Sequence, residues 1–136
     1  MENDFQERLK SFLTSNSQNI SVEQLTPDAS TREYFRVDWN GEKAIACVYP
    51  QDDLGKSQFK ACLDVTKVFA GSNLPVARIY ASDAEKGIII QEDFGDTILR
   101  DVLLKSDKTE REKLLNEAVS LIARIQAATP KAFTLD

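Results

Sequence analysis

The chain has 136 residues, with 17 Lys and Arg against 22 Asp and Glu, so its formal net charge is −5. This length is typical of one domain, and we expect residues 1–136 to form a single unit. Hydrophobic residues make up 42% and charged residues 29%, which is ordinary for a globular protein and excludes a fibrous or fully disordered chain. An acidic chain without a Lys/Arg cluster lacks the cations that bind nucleic-acid phosphates, so we expect no nucleic-acid partner.

Several classes of function are excluded by what the sequence lacks. No apolar stretch approaches the roughly 20 residues of a membrane-spanning helix, and the acidic start is unlike a secretory signal, so we expect a cytoplasmic location and no membrane partner. Cys47 and Cys62 lie in apolar segments and are predicted to be core thiols. The chain contains no histidine, which excludes Ser-His-Asp and Cys-His catalysis and any catalytic loop that uses histidine.

The N-terminal half is predicted to contain a helix followed by a hairpin. An amphipathic helix begins at Asp4 and fades in the polar residues 14–19. Residues 21–26 show a weak strand pattern, and residues 34–39 have the aromatic and β-branched character of a strand. Asn40-Gly41 is the strongest short hairpin signal because both residues tolerate positive φ, and residues 43–49 form the returning strand.

The middle of the chain is predicted to add one helix and two strands. Residues 56–70 carry apolar side chains on one helical face, and Gly71 stands where a C′ glycine ends a helix. Residues 76–81 and 87–92 are predicted strands joined by a turn at 82–86.

The C-terminal third is predicted to be helical. Residues 97–104 form a short helix, and Thr109 to Glu112 form a capping box that opens a long helix. That helix keeps its 3.6-residue period until Thr129-Pro130. Its broad apolar face must be buried, either on this sheet or on a further domain.

The element order predicts an α+β fold: a sheet of about five mostly antiparallel strands, a helix inserted after the third strand, and helices at both ends. This is the order of a protein-kinase-like N-terminal lobe. In such a lobe the loop between the first two strands, here residues 27–32, covers the phosphates of a nucleotide. The same residue types are also common in turns, so the alternative interpretation of this loop is a solvated Asx or Ser turn.

Two sequence motifs resemble a known family. The run from Asp28 to Val37, Asp-Ala-Ser-Thr-Arg-Glu-Tyr-Phe-Arg-Val, resembles the G-D-A-S-x-R-R-Y-F-R-V string of bacterial aminoglycoside-phosphotransferase-like kinases. Within that family it is most similar to the cell-wall amino-sugar kinases that act on N-acetylmuramate and N-acetylglucosamine. The run from Ile88 to Asp96 resembles the L-L-L-x-E-D-L-G-D segment of the same family, and Asn73 to Val76 resembles its N-x-P-V/I element.

The resemblance implies a site for ATP or GTP at the edge of the sheet. The segment from Gln91 to Phe94 would be the hinge that recognises the adenine edge through its backbone. Asp93-Phe94-Gly95 also spells the D-F-G of protein kinases, whose Asp binds Mg²⁺, but that element must follow a catalytic loop, and none precedes it here. We therefore predict no metal ligand in this chain. The implied nucleotide-binding residues are Asp28, Ala29, Ser30, Thr31, Arg32, Arg36, Gln91, Glu92, Asp93 and Phe94.

The sequence departs from the family motif at two positions, and the predicted third strand lacks a lysine. Pro27 replaces a glycine and Glu33 replaces an arginine, and residues 44–49 lack the lysine that protein kinases place in this strand. We expect Arg32 or Arg36 to supply the missing positive charge. Strand alternation also allows Arg36 to be an ordinary surface arginine.

The catalytic apparatus of the family is expected to lie outside this chain. Its H-G-D-x-x-x-x-N loop needs a histidine, so no catalytic residue is assigned among these residues, and Mg²⁺ would be held mainly by the absent C-terminal lobe, which would also bind the small-molecule acceptor. The chain would then be an N-terminal lobe that binds nucleotide weakly and is inactive alone, with exposed apolar surface through which it could self-associate. The alternatives are a non-catalytic partner-binding module with this fold and an unrelated α+β domain.

Overall fold

A computed structural model of the chain describes residues 3–132, with side chains described as far as residue 128. The first two and last four residues of the predicted 1–136 domain lie outside this range. The chain forms two compact units, residues 3–63 with 77–93 and residues 64–76 with 94–132. The first unit contains the sheet, and the second contains the two C-terminal helices.

The first unit is built on an open sheet of five antiparallel strands, which confirms the predicted fold class. The strand order is β1-β2-β3-β5-β4. The β2–β3 connection is the predicted two-residue hairpin, with φ of 51° at Asn40 and 83° at Gly41. The strands are β1 (Val22–Gln24), β2 (Glu33–Trp39), β3 (Glu42–Val48), β4 (Ile79–Asp83) and β5 (Ile88–Glu92).

In the described part of the chain four helices accompany the strands, and one of them is the predicted insertion between β3 and β4. None of the helices within residues 3–132 combines the length and the apolar character needed to cross a membrane. The helices are α1 (Asp4–Ser15), α2 (Asp53–Gly71), α3 (Leu99–Lys105) and α4 (Lys108–Ala132).

The two faces of the sheet bury two separate apolar clusters because side chains alternate along each strand. On one face α1 packs through Leu9, Phe12 and Leu13 against side chains that include Phe35 and Ile90. The other face packs against the first half of α2 and presents a second set of side chains. These are Cys47, Tyr49 and Ile89 with Phe59 of α2, and the partly buried Tyr34, Ile45 and Cys62 beside them. Arg36 shares this second face because it alternates with Tyr34 along β2.

Helix α2 differs from its prediction at both ends. It begins at Asp53 rather than Lys56, and the Asp52 carboxylate caps its first turn by accepting the Gly55 N–H at 2.7 Å. Gly71 is the last helical residue, whereas Asn73, with φ of 57°, is the residue that adopts the left-handed conformation. The predicted C′ role of Gly71 is therefore wrong, because asparagine fills the left-handed position two residues later.

The other boundaries shift by a few residues for local reasons. Strand β4 extends to Asp83 and so includes two residues of the predicted turn. Helix α4 begins at Lys108, and its cap is Asp107, whose Oδ1 accepts the Glu110 N–H at 2.8 Å. The predicted capping box that begins at Thr109 is therefore wrong. The helix also continues through Pro130 to Ala132.

Candidate functional site

The loop between β1 and β2 forms an Asx turn. The Ser30 N–H donates to Asp28 Oδ1 at 2.8 Å, and hydrogen bonds from the Ser30 side chain and backbone lower the pKa of the Asp28 carboxyl. The Thr31 hydroxyl contacts Gln58 Oε1 of α2 at 3.4 Å. Residues 28–31, which include Ala29, are all exposed. The loop therefore has the predicted turn chemistry, with its hydroxyl groups at the surface.

Arg32 is held against two aromatic rings at the end of this loop. Its Nε donates to the Tyr34 hydroxyl, and its guanidinium carbon lies 5.5 Å from the centre of the Tyr34 ring and 5.8 Å from that of Tyr49. Burial acts to lower the pKa of Arg32, but the Tyr34 hydroxyl and the neighbouring Tyr49 act in the opposite direction and the net shift is upward. Tyr34 is the cross-strand partner of Cys47. Arg32 thus brings a permanent cation to the part of β3 that lacks the kinase lysine.

Arg36 forms an ion pair with Asp93. Its Nε lies 2.7 Å from Asp93 Oδ2, and its Nη2 donates to Asp93 Oδ1 at 3.2 Å. The two side chains are only 14% and 10% exposed. This is the forked geometry in which a guanidinium binds both oxygens of one carboxylate.

The predicted hinge begins at the end of β5. Gln91 and Glu92 are the last residues of the strand. The Glu92 N–H donates to the Arg78 carbonyl at 2.9 Å, while Glu92 Oε1 accepts the Arg78 N–H at 3.1 Å. Asp93 follows directly with its carboxylate on Arg36, and Phe94 is 69% exposed.

The strand register brings part of the predicted site together. Arg36 is paired with Ile45, which is paired in turn with Gln91. Gln91 and Arg36 therefore lie in one row across the sheet, and Asp93, two residues beyond Gln91, contacts Arg36. The loop meets β2 at Glu33, which is roughly 10 Å along the strand from Arg36 at ~3.3 Å per residue.

Glu33, which stands where the family motif has an arginine, has a structural partner. Its carboxylate oxygens accept hydrogen bonds from Asn3 Nδ2 at 2.7 and 2.8 Å. Gln24 Nε2 of β1 donates to the same carboxylate at 3.0 Å. Glu33 therefore ties the start of α1 and the edge strand β1 to β2.

Sequence analysis missed two aromatic residues of the site. Tyr34 and Tyr49 hold Arg32 in place, and burial raises the pKa of both phenols. Strand alternation already placed Tyr34 on the face of Arg36 and would have indicated its role. Tyr49 lies just past the end of β3, and no local signal identified it.

The donor set of these residues suits a phosphate group better than a metal ion. Arg32, Ser30 and Thr31 supply a cation and two hydroxyl groups, which are groups that bind phosphate oxygens. Within the described part of the chain, no three His, Cys, Asp or Glu side chains lie close enough together to hold a metal ion. We assign no metal ligand to these residues.

The fold and the placement of these residues define the class of protein. A five-stranded antiparallel sheet with a helix inserted after the third strand is the fold of a kinase-like N-terminal lobe. The sequence profile of the phosphotransferase enzyme family matches residues 21–136, and the chain belongs to that family. Searches of curated proteins and of solved structures found no match.

Proposed function

We propose that the chain is the nucleotide-binding lobe of a cytoplasmic, ATP-dependent phosphotransferase whose acceptor is a small molecule, specifically a cell-wall amino sugar. Family membership supports phosphotransferase chemistry, and the resemblance of the motifs at 28–37 and 88–96 supports the amino-sugar acceptor. The base could be adenine or guanine, since both present hydrogen-bonding edges to a hinge backbone.

The observation that carries this proposal is the position of Arg32. Of the two arginines in the motif, Arg36 is neutralised by Asp93. Arg32 instead contacts the rings of Tyr34 and Tyr49, which are neutral at pH 7. It also attracts the Asp28 carboxylate, but that group is fully exposed and its charge is screened by water. A cation at the end of an exposed hydroxyl-bearing loop attracts phosphate oxygens.

Each part of the site has a distinct task in this proposal. The backbone of Gln91 to Phe94 binds the base, and residues Asp28 to Thr31 approach the phosphates through N–H and hydroxyl groups. Arg32 neutralises phosphate charge. The nucleotide supplies the transferable phosphoryl group together with its Mg²⁺, for which these residues provide no ligand set.

Replacement of Arg32 is expected to weaken phosphate binding specifically. Arg32→Ala should reduce the affinity for ATP and for inorganic tripolyphosphate about tenfold or more, because a charge-assisted contact is lost. Arg32→Lys keeps the charge and should retain most of the affinity. The measurement is NMR shift perturbation with millimolar ligand, with wild-type shifts expected at residues 28–36 and 91–95.

Lys43→Ala is the matched control for this experiment. Lys43 is 65% exposed and pairs with Asp38 at the hairpin end of β2 and β3. This end is opposite the loop at residues 28–32, so the variant loses one positive charge without losing a proposed phosphate-binding group. Its tripolyphosphate affinity should equal that of the wild type. An Arg32→Ala protein that is folded by thermal unfolding and still binds ATP normally would contradict the proposal.

We expect these 136 residues to bind nucleotide without turnover. The chain contains no histidine and therefore no H-G-D-x-x-x-x-N loop. Incubation with ATP and N-acetylglucosamine or N-acetylmuramate should give no ADP by phosphorus NMR. A protein that carries this lobe together with such a loop should phosphorylate one of these sugars in preference to choline or an aminoglycoside, and the opposite preference would overturn the proposed acceptor.

The second candidate function is a non-catalytic partner-binding module. The observation in its favour is an exposed apolar stripe on α4, where Leu115, Val119 and Ile122 are 44%, 63% and 55% exposed. The nucleotide titration separates the two candidates. Shifts at the loop and hinge favour the phosphotransferase lobe, and a wild-type protein without any shift favours the module.

A further inference from the structure

The Arg36–Asp93 ion pair crosses the central strand of the sheet. Arg36 lies in the middle of β2, and Asp93 follows β5, yet β3 separates these two strands. Neighbouring strands are ~4.8 Å apart, so β2 and β5 lie roughly 10 Å apart with β3 between them. Only a long side chain can make this connection, and the guanidinium then binds both carboxylate oxygens.

The burial of this pair makes it a position-fixing contact. With the side chains only 14% and 10% exposed, the pair is largely shielded from water, so its attraction is screened less than that of a surface pair and removal of either partner is costly. The forked geometry restricts the Asp93 carboxylate in direction as well as in distance. The backbone at the end of β5 is therefore fixed by the side-chain contact with β2 as well as by the hydrogen bonds between β5 and its neighbouring strands.

We infer that Arg36 is a positioning residue that acts through Asp93: it fixes the backbone following β5 in the conformation that binds the base, and it does not contact phosphate. This inference rests on the proposed nucleotide site. It assigns the two motif arginines different tasks, phosphate binding for Arg32 and hinge positioning for Arg36. A preorganised hinge binds the base more tightly because less ordering is required on binding.

Asp93→Asn separates positioning from phosphate contact because the two roles predict opposite signs. If Arg36 positions the hinge, the variant should bind adenosine and ATP about fivefold to tenfold more weakly, by the same factor, with tripolyphosphate binding unchanged. If Arg36 contacts phosphate, loss of the negative charge of Asp93 raises the positive potential at the guanidinium. ATP and tripolyphosphate would then bind more tightly and adenosine would be unaffected, and this result would overturn the inference.

A matched control and a conservative variant complete the comparison. Asp38 lies on β2, two residues beyond Arg36 and on the same face, and pairs with Lys43 at 2.8 Å. Asp38→Asn also removes a carboxylate from an ion pair, and it should leave all three affinities within about twofold of the wild type, as is typical of exposed pairs. Arg36→Lys keeps a positive charge but cannot bind both carboxylate oxygens in the way a guanidinium does. Its adenosine affinity should therefore lie between those of the wild type and Arg36→Ala. If Asp93→Asn or Arg36→Ala does not fold, Asp93→Glu and Arg36→Lys make the same comparison.

Amide hydrogen exchange measures the positioning directly in the free protein. The amides of residues 93–95 should exchange about tenfold faster in Asp93→Asn than in the wild type, while those of the β2–β3 hairpin keep their rates. Wild-type protein that binds neither adenosine nor ATP would overturn the proposed function and this inference together. Wild-type binding combined with unchanged affinity and exchange in the variants would overturn the inference alone.

Discussion

Gly55→Ala is expected to lower the free energy of unfolding by about 3 kcal/mol, the size of an overpacking defect in a tightly packed site. A Cβ at this buried position would lie 2.0 Å from the Pro50 carbonyl oxygen and 2.7 Å from its carbon. Both are backbone atoms, so no side-chain rotation relieves the clash. The shift would also disturb the Asp52 cap, because the Gly55 N–H is its donor.

Gly71→Ala is the matched control, with the same substitution in the same helix. A Cβ at Gly71 meets nothing within 4 Å, and replacement of a helical glycine by alanine stabilises a helix by about 0.5–1 kcal/mol. Urea and thermal unfolding followed by circular dichroism should place the melting temperature of Gly55→Ala about 10 °C below that of the wild type, and that of Gly71→Ala at or slightly above it. Equal stabilities for the two variants would contradict the prediction, because they would show that the backbone at Pro50 can move away from the added Cβ without loss of stability.

The sheet could be predicted from the sequence because its signals are local. Asn40-Gly41 specifies the hairpin through its positive φ angles. Alternation along residues 34–39 and 43–49 correctly places Phe35 and Tyr34 on opposite faces of the sheet. Element type and order followed from such short-range patterns.

The helix starts were less predictable because several residues compete for each cap. Asp107 and Thr109 are both good N-cap residues, and only the folded chain shows that Asp107 receives the Glu110 N–H. At α2 the apolar pattern becomes clear only well inside the helix, whereas the helix is already capped by Asp52. Periodicity marks the buried part of a helix and not its first turn.

The partners of the site residues could not be predicted, because they are distant in the sequence. Alternation placed Arg36 on a face but did not reveal that Asp93 would bind it. The same holds for Arg8 of α1, whose Nη1 donates to the carbonyls of Tyr49 and Lys86 at 3.1 and 2.6 Å. A motif resemblance identifies which residues matter, and the fold decides which of the two motif arginines forms a shielded ion pair with a carboxylate.

Stability is expected to fall steeply in alkaline solution because Cys47 must stay protonated in the folded protein. Burial raises the pKa of its thiol from 9.0 to about 12. The unfolded chain therefore releases this proton near pH 9, while the folded chain retains it. The contribution of the protonated thiol to the free energy of unfolding is fully present below pH 9 and is lost between pH 9 and about 12. The loss is about 1.4 kcal/mol by pH 10 and about 4 kcal/mol by pH 12, at 1.36 kcal/mol per pH unit.

Cys47→Ala isolates this contribution. Burial also raises the pKa of Tyr34 and Tyr49, but their ordinary values are 10.0, so the interval from pH 9 to 10 is dominated by the thiol. Urea unfolding at pH 8 and pH 10 with reductant present should show a loss about 1.4 kcal/mol smaller in Cys47→Ala than in the wild type. Ile89→Val, a buried and non-titrating change in the same cluster, should lower stability equally at both pH values. If Cys47→Ala instead lost as much stability as the wild type on going from pH 8 to pH 10, the thiol would ionise in the folded protein as readily as in the unfolded chain. The packing of β3 against α2 would then be open to water, because only a dry environment keeps a thiol protonated at that pH.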